Sequence, residues 1–205
     1  MASASGIINR IESGLVTNEG AWEIPLGEGS WPQAAVLVAL TEELEPRVLL
    51  GRRAMHLRLH PGEIAFAGGK RELIDLSPWH TAQREAMEEV GLPQDVIYPL
   101  GELEPLITRT GFEVFPCIAR IPADPDLVID PGEFDSVFFT RLSVFADADL
   151  FRLESMSDGI RVRKVPHYQI GSDNIWGVTA AILALVVNVA YDTGFDLQRD
   201  WKQEP

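Results

Sequence analysis

At 205 residues the chain is long enough for one well-cored domain and short for two. Its 46% hydrophobic and 23% charged content is that of a globular protein and excludes wholesale disorder. A formal net charge of -14 argues against nucleic acid or an anionic membrane surface as a partner.

Residues 1–31 mix polar, Gly and Pro residues and read as an irregular arm with a short helix near Ile7 to Ser13. No basic region followed by an apolar segment occurs there, so no secretory signal is expected. The apolar runs Ala34–Leu40 and Arg47–Gly51, joined across a Glu/Pro turn, predict two buried strands in a hairpin-like arrangement. Glu63–Ala67 predicts a third strand, ended by Gly68-Gly69 in a loop. Ser77-Pro78 supplies an N-cap and a first-turn proline, and Gly91 with Pro93 a stop. Between them Thr81, Ala82, Ala86, Met87 and Val90 recur near helical spacing. Further strands are expected at Val96–Leu106, Val114–Ile121, Ser136–Phe139, Phe151–Ser155 and Arg161–Val165, with a short helix over Leu142–Asp147. Ile175–Tyr191 predicts a second long helix, buried on most of its circumference. Its apolar stretch Val178–Ala190 falls short of the roughly 20 residues that a bilayer demands. Residues 192–205 form a tail without chemical signal. A lone Cys117 allows no internal disulfide and fits a reducing, cytoplasmic setting. With no repeat and no linker, residues 1–205 read as a single domain, an α/β or α+β sandwich.

Two stretches carry chemistry. On the first long helix Glu85, Glu88 and Glu89 stand at i, i+3 and i+4 and share a face. Three carboxylates repel one another unless a positive charge lies between them, and a hard divalent cation with oxygen ligands is the natural occupant. Mg²⁺ keeps waters and bridges to substrate phosphates, which points to phosphoryl-type chemistry. A solvated acidic helix face is the alternative. Upstream, Arg52, Arg53, Arg58, Lys70, Arg71 and Arg84 fall in a window whose only acids are Glu63, Glu72 and Asp75. That local reversal of sign fits a small anionic ligand, although solvated side chains on strand edges would give the same pattern.

Gly69, five residues, Asp75, eight residues and Arg84-Glu85-Ala86-Met87-Glu88-Glu89-Val90-Gly91-Leu92 resemble the Nudix box, G-x5-E-x7-R-E-U-x-E-E-x-G-U with U aliphatic. Asp75 stands where Glu is usual, and the second spacer is one residue longer. Both departures look like the coenzyme A pyrophosphatase branch of that family. Its upstream signature, L-L-T-x-R-S-x-x-L-x-x-H-x-G-Q-V-A-F-P-G-G, is matched at Arg53, Leu57, His60, Gly62, Phe66, Gly68 and Gly69. Thr110-Gly111-Phe112 with Pro116, and Ile175–Ala180, are similar to that branch too, so the resemblance spans roughly residues 33–187. Gly51, Ala54, Glu63 and Ala67 replace its Thr, Ser, Gln and Pro. Of these Glu63 matters most, because its charge either repels a phosphate or supplies another metal ligand.

The resemblance implies a Nudix-type α/β/α sandwich with a mixed central sheet, and a hydrolase of a diphosphate linkage dependent on Mg²⁺ or Mn²⁺. The implied metal ligands are Glu85, Glu88, Glu89 and the Gly69 carbonyl. The implied catalytic residues are Glu85, as base toward water, Glu88 and Arg84. Arg84 would act by orienting a box carboxylate, since it lies about 100° around the helix from Glu85. Arg53, Arg58, Lys70, Arg71 and His60 are candidates for substrate contacts, with Asp75 and Glu63 as accessory carboxylates. His60, ahead of a glycine turn, also reads as a hydrogen-bonder that fixes its loop. The implied substrate is coenzyme A or a derivative, cut to 4′-phosphopantetheine and adenosine 3′,5′-bisphosphate. Another nucleoside diphosphate derivative (ADP-ribose, a dinucleotide, a nucleotide sugar) is the alternative, and a non-catalytic nucleotide sensor is a third reading. Either the arm or the tail could contribute to a homodimer.

Overall fold

The computed structural model describes residues 6–16, 20–108, 110–157 and 162–197. Arg161, the arm residues 1–5 and 17–19, and the tail residues 198–205 lie outside the described residues. In chain order the first elements are α1 (Gly6–Gly14), β1 (Gln33–Thr41), β2 (Arg47–Arg53), β3 (Ile64–Ala65), β4 (Ala67–Lys70) and α2 (Pro78–Val90). There follow β5 (Tyr98–Glu102), β6 (Leu106–Ile107), β7 (Glu113–Ile121), β8 (Phe134–Arg141), β9 (Phe151–Ser157), β10 (Val162–Ile170), β11 (Asp173–Trp176) and α3 (Gly177–Tyr191).

β1 is the axis of a mixed sheet. It runs parallel to β7 along its whole length, from Gln33 opposite Glu113 to Thr41 opposite Ile121. On its other side it pairs antiparallel with β4 near its start and with β2 near its end. β8 and β3 extend the sheet beyond β2, while β5 and β6 flank β7. β1 is apolar on both faces because both are covered. Ala35, Leu37 and Ala39 face α2, whereas Val38 and Leu40 face the α1 and α3 side, the alternation of a strand. Helices therefore cover both faces, giving the expected α/β/α sandwich around a mixed sheet. A smaller sheet, β11-β10-β9, joins the main one through Arg52, whose Nη2 lies 2.9 Å from both oxygens of Asp173.

α2 begins and ends where its local chemistry dictates. The Ser77 hydroxyl accepts from the His80 N–H at 3.2 Å, Pro78 opens the first turn, and Gly91 closes the helix in the left-handed region at φ 67. α3 buries Ala180 through Ala184 without interruption, and Ile8 and Ile11 of α1 complete its packing. No helix among the described residues is long and apolar enough to cross a membrane.

Four expectations need correction. Gly68 and Gly69 are not in a loop; they lie inside β4, opposite Val36 and Ala35. Ile175 and Trp176 do not begin α3; they pair with Tyr168 and His167 in β11, so nonlocal pairing outranks helical spacing there. The strand expected over Val96–Leu106 is broken into a 3-10 turn at Gln94–Val96, then β5 and β6, with a bulge between Pro99 and Gly101. The helix expected at Leu142–Asp147 is a 3-10 turn over Leu142–Ala146.

Candidate active site

α2 buries Ala82, Ala86 and Val90 against Ala35 and Leu37, so small residues bring the helix close to the sheet. Its adjoining face then meets the glycines of β4. The Glu85 carboxylate occupies the space that a Cβ on Gly69 would need, which is why glycine stands in mid-strand here. The Gly68 N–H donates to Glu89 Oε2 at 2.9 Å. Glu89 is only 4% exposed. Burial pushes its carboxyl up to about 8; the Gly68 N–H opposes that rise, while Glu85 and Glu133 add to it. Burial also raises Glu85, against the pull of Arg84. Glu88 is the outermost of the three, with its side chain 58% exposed.

Arg84 organises this face. Its Nε and Nη2 form a fork on Asp75 at 3.1 and 3.0 Å, and Nη2 also donates to the Lys70 carbonyl at 3.0 Å. Nη1 lies 3.0 Å from Glu85 Oε1 and 3.2 Å from Glu88 Oε2. Asp75 accepts further bonds from the Thr81 hydroxyl and the Glu72 N–H, at 2.9 and 2.8 Å. Burial acts to raise the Asp75 carboxyl, but these donors, Arg84 first, bring it below its usual value. The longer spacer thus closes a loop whose aspartate fixes the arginine that in turn fixes two glutamates.

Among the described residues no three His, Cys, Asp or Glu side chains stand together at metal-binding distance. Glu85 and Glu88 lean to Arg84 instead, and Glu89 to Gly68. The donor set nevertheless suits a hard dication, since it offers carboxylate and backbone oxygens only. Glu85 and Glu89 are packed side by side on the glycine strand, and burial raises both against the pull of Arg84 on the one and of the Gly68 N–H and Arg53 on the other.

The remaining candidates divide. Arg53 reaches Glu133 Oε2 with Nη2 at 3.4 Å, and its Nε is buried without a partner. Arg58 is exposed, with no ion-pair partner among the described residues. Lys70 lies over the Phe112 ring at 5.2 Å. Arg71 is not brought to the site. It bonds the Ile24 carbonyl and Gln33 Oε1 and covers the Trp22 ring, holding the arm instead. His60, in the left-handed region at φ 57, sets Nδ1 3.0 Å from both oxygens of Glu63. Glu133 is a carboxylate that sequence reasoning passed over. It arrives because the following loop is tied to the end of α2, Val128 N–H to the Val90 carbonyl and Asp130 N–H to that of Glu89.

Known proteins place this fold in a family. The NUDIX domain model matches residues 31–156. A relative described as an uncharacterized Nudix hydrolase NudL, from Yersinia pestis (strain Pestoides F), is 38% identical over 156 residues, 74% of this chain and 76% of its own. Its counterpart from Yersinia pseudotuberculosis serotype O:1b (strain IP 31758) matches to the same extent. Among solved structures, a MutT/nudix family protein from Enterococcus faecalis has a TM-score of 0.55 at 20% identity. It covers 83% of this chain and 66% of that one, a likeness of fold alone. The chain belongs to the Nudix family and is a hydrolase, a pyrophosphatase of nucleoside diphosphate derivatives. Nudix hydrolases generally use divalent metal ions.

Proposed function

We propose that the protein hydrolyses the diphosphate of coenzyme A or a derivative, releasing 4′-phosphopantetheine and adenosine 3′,5′-bisphosphate. The observation that carries the reading is the seating of Glu85 against Gly69 and of Glu89 on the Gly68 N–H. Glu85, Glu88 and Glu89, with the Gly69 carbonyl, would hold Mg²⁺ or Mn²⁺. When bound, such an ion neutralises charge on the diphosphate oxygens and lowers the pKa of water. Glu85 takes the proton of the attacking water, and Arg84 holds its carboxylate in place for that transfer. Arg53, Arg58 and Lys70 supply the positive charge that faces the phosphates. His60 holds Glu63, so the charge that replaces the branch's usual glutamine is directed into the loop rather than at an anionic substrate. On this reading the chain is one domain that acts in the cytoplasm on a small nucleotide, with its lone Cys117 in keeping with a reducing setting.

The test is product analysis after incubation with coenzyme A and Mg²⁺, beside an EDTA control. The expected result is metal-dependent release of 4′-phosphopantetheine. Cleavage of ADP-ribose or a dinucleoside polyphosphate with coenzyme A untouched would move the specificity to another nucleoside diphosphate derivative. No turnover of any of them would leave a nucleotide sensor.

A further inference from the structure

A cavity of about 290 Å³ lies beneath the N-terminal arm. It is separate from the box carboxylates. Gly68 and Gly69 sit on β4, to one side of β1, whereas the cavity reaches from Gln33 at the start of β1 to Glu102 on β5, beyond β7. From β4 to β5 is three strand spacings, about 14 Å.

Trp22, Pro78, Leu103 and Phe115 provide apolar walls, and Trp22 meets Phe115 edge to face at 4.9 Å between centroids. The ionisable lining is all of one sign, Glu23, Glu102, Glu104 and Glu113, with no Lys or Arg among the described lining residues. Glu113 accepts from Gln33 Nε2 at 3.2 Å. Glu102 is different. It is 8% exposed, it takes a hydrogen bond from the Trp79 side chain, and its Oε1 is buried with no partner. A buried acceptor left unmatched costs free energy that a suitable donor would recover. The Arg71 guanidinium, which covers the Trp22 ring, is committed to the Ile24 carbonyl and Gln33 Oε1.

We propose that this cavity is a second ligand site, taking a small organic cation: an ammonium group on a compact apolar body. The ammonium donates to Glu102 Oε1, and the body packs against the apolar wall that Trp22, Pro78, Leu103 and Phe115 provide. The Trp22 N–H bonds the Leu76 carbonyl, so an occupant is held between the arm and the loop that carries Asp75. The site stands independently of the diphosphate substrate.

The experiment titrates the full chain in EDTA with phenethylammonium, its neutral isostere 2-phenylethanol and the anion phenylacetate, each followed by ligand-observed NMR. Phenethylammonium should bind saturably, with the alcohol about tenfold weaker or more and the carboxylate weaker still. Glu102→Gln keeps an acceptor for Trp79; it should weaken the ammonium by about tenfold and leave the alcohol unchanged. Equal affinity for ammonium and alcohol, or no binding of the ammonium, overturns the proposal whether or not the variant folds. So does full ammonium affinity in a folded Glu102→Gln.

Discussion

The two faces of the central sheet are packed in contrasting ways. Toward α3, large side chains such as Leu40, Leu50, Ile118, Phe145 and Tyr168 meet a helix that is apolar almost all round. Toward α2, Ala35, Ala39, Ala82, Ala86 and Ala119 keep helix and sheet close, and charged groups are pressed in beside them. Asp75, Glu89 and Glu102 are 4%, 4% and 8% exposed. Burial on the first face stabilises and does nothing else. On the second it forces carboxyls out of water, a cost that hydrogen-bond donors relieve in part and a partner of opposite charge relieves most. Asp75 has the Arg84 fork; Glu89 has the Gly68 N–H and the pull of Arg53 without a direct ion pair, Glu102 has only the Trp79 hydrogen bond, and both are raised.

Glu85→Gln is the strongest test of that contrast. Turnover of any diphosphate substrate should fall on the order of a thousandfold, with Tm in EDTA unchanged or higher because burial already disfavours the charge. Steady-state rates beside a thermal melt decide it, and wild-type turnover would remove Glu85 from the chemistry. Leu183→Ala, on the α3 face, should do the reverse. Urea melts should show a loss of about 3 to 4 kcal/mol, while kcat per folded molecule stays intact; a loss of kcat would mean that the two faces are coupled. The smallest expected effect is on pH dependence. The carboxyl of Glu102 is raised by burial from 4.5 to about 7 in the fold, against the Trp79 hydrogen bond. Its contribution to stability is therefore complete below pH 4.5 and lost as pH rises through 7. Glu102→Gln should flatten that fall by on the order of 2 kcal/mol. A pH-independent offset between wild type and variant would show that Glu102 does not titrate there.

What could be read from the sequence followed from local chemistry. Ser77, Pro78 and Gly91 delimit α2 through capping and backbone geometry, and the alternation of β1 is visible within nine residues. The glycine pair was misplaced because glycine usually marks a loop. Here the absence of side chains lets Glu85 approach a strand, and nothing nearby in sequence announces that. Arg71 looked like a phosphate ligand by charge, yet its partners are Gln33 and Ile24, distant in sequence. Glu133 was invisible for the same reason. Its link to Arg53 spans 80 residues and depends on how β2 and β8 pair.

The Arg84 fork has a consequence for inhibitors. All five of its N–H donors face acceptors already present: two oxygens of Asp75, the Lys70 carbonyl, Glu85 and Glu88. An anionic compound designed to recruit this arginine would have to evict a carboxylate first, so its affinity would be spent on displacement. A compound that leaves Arg84 alone and engages the exposed Arg58 meets a guanidinium without that competition.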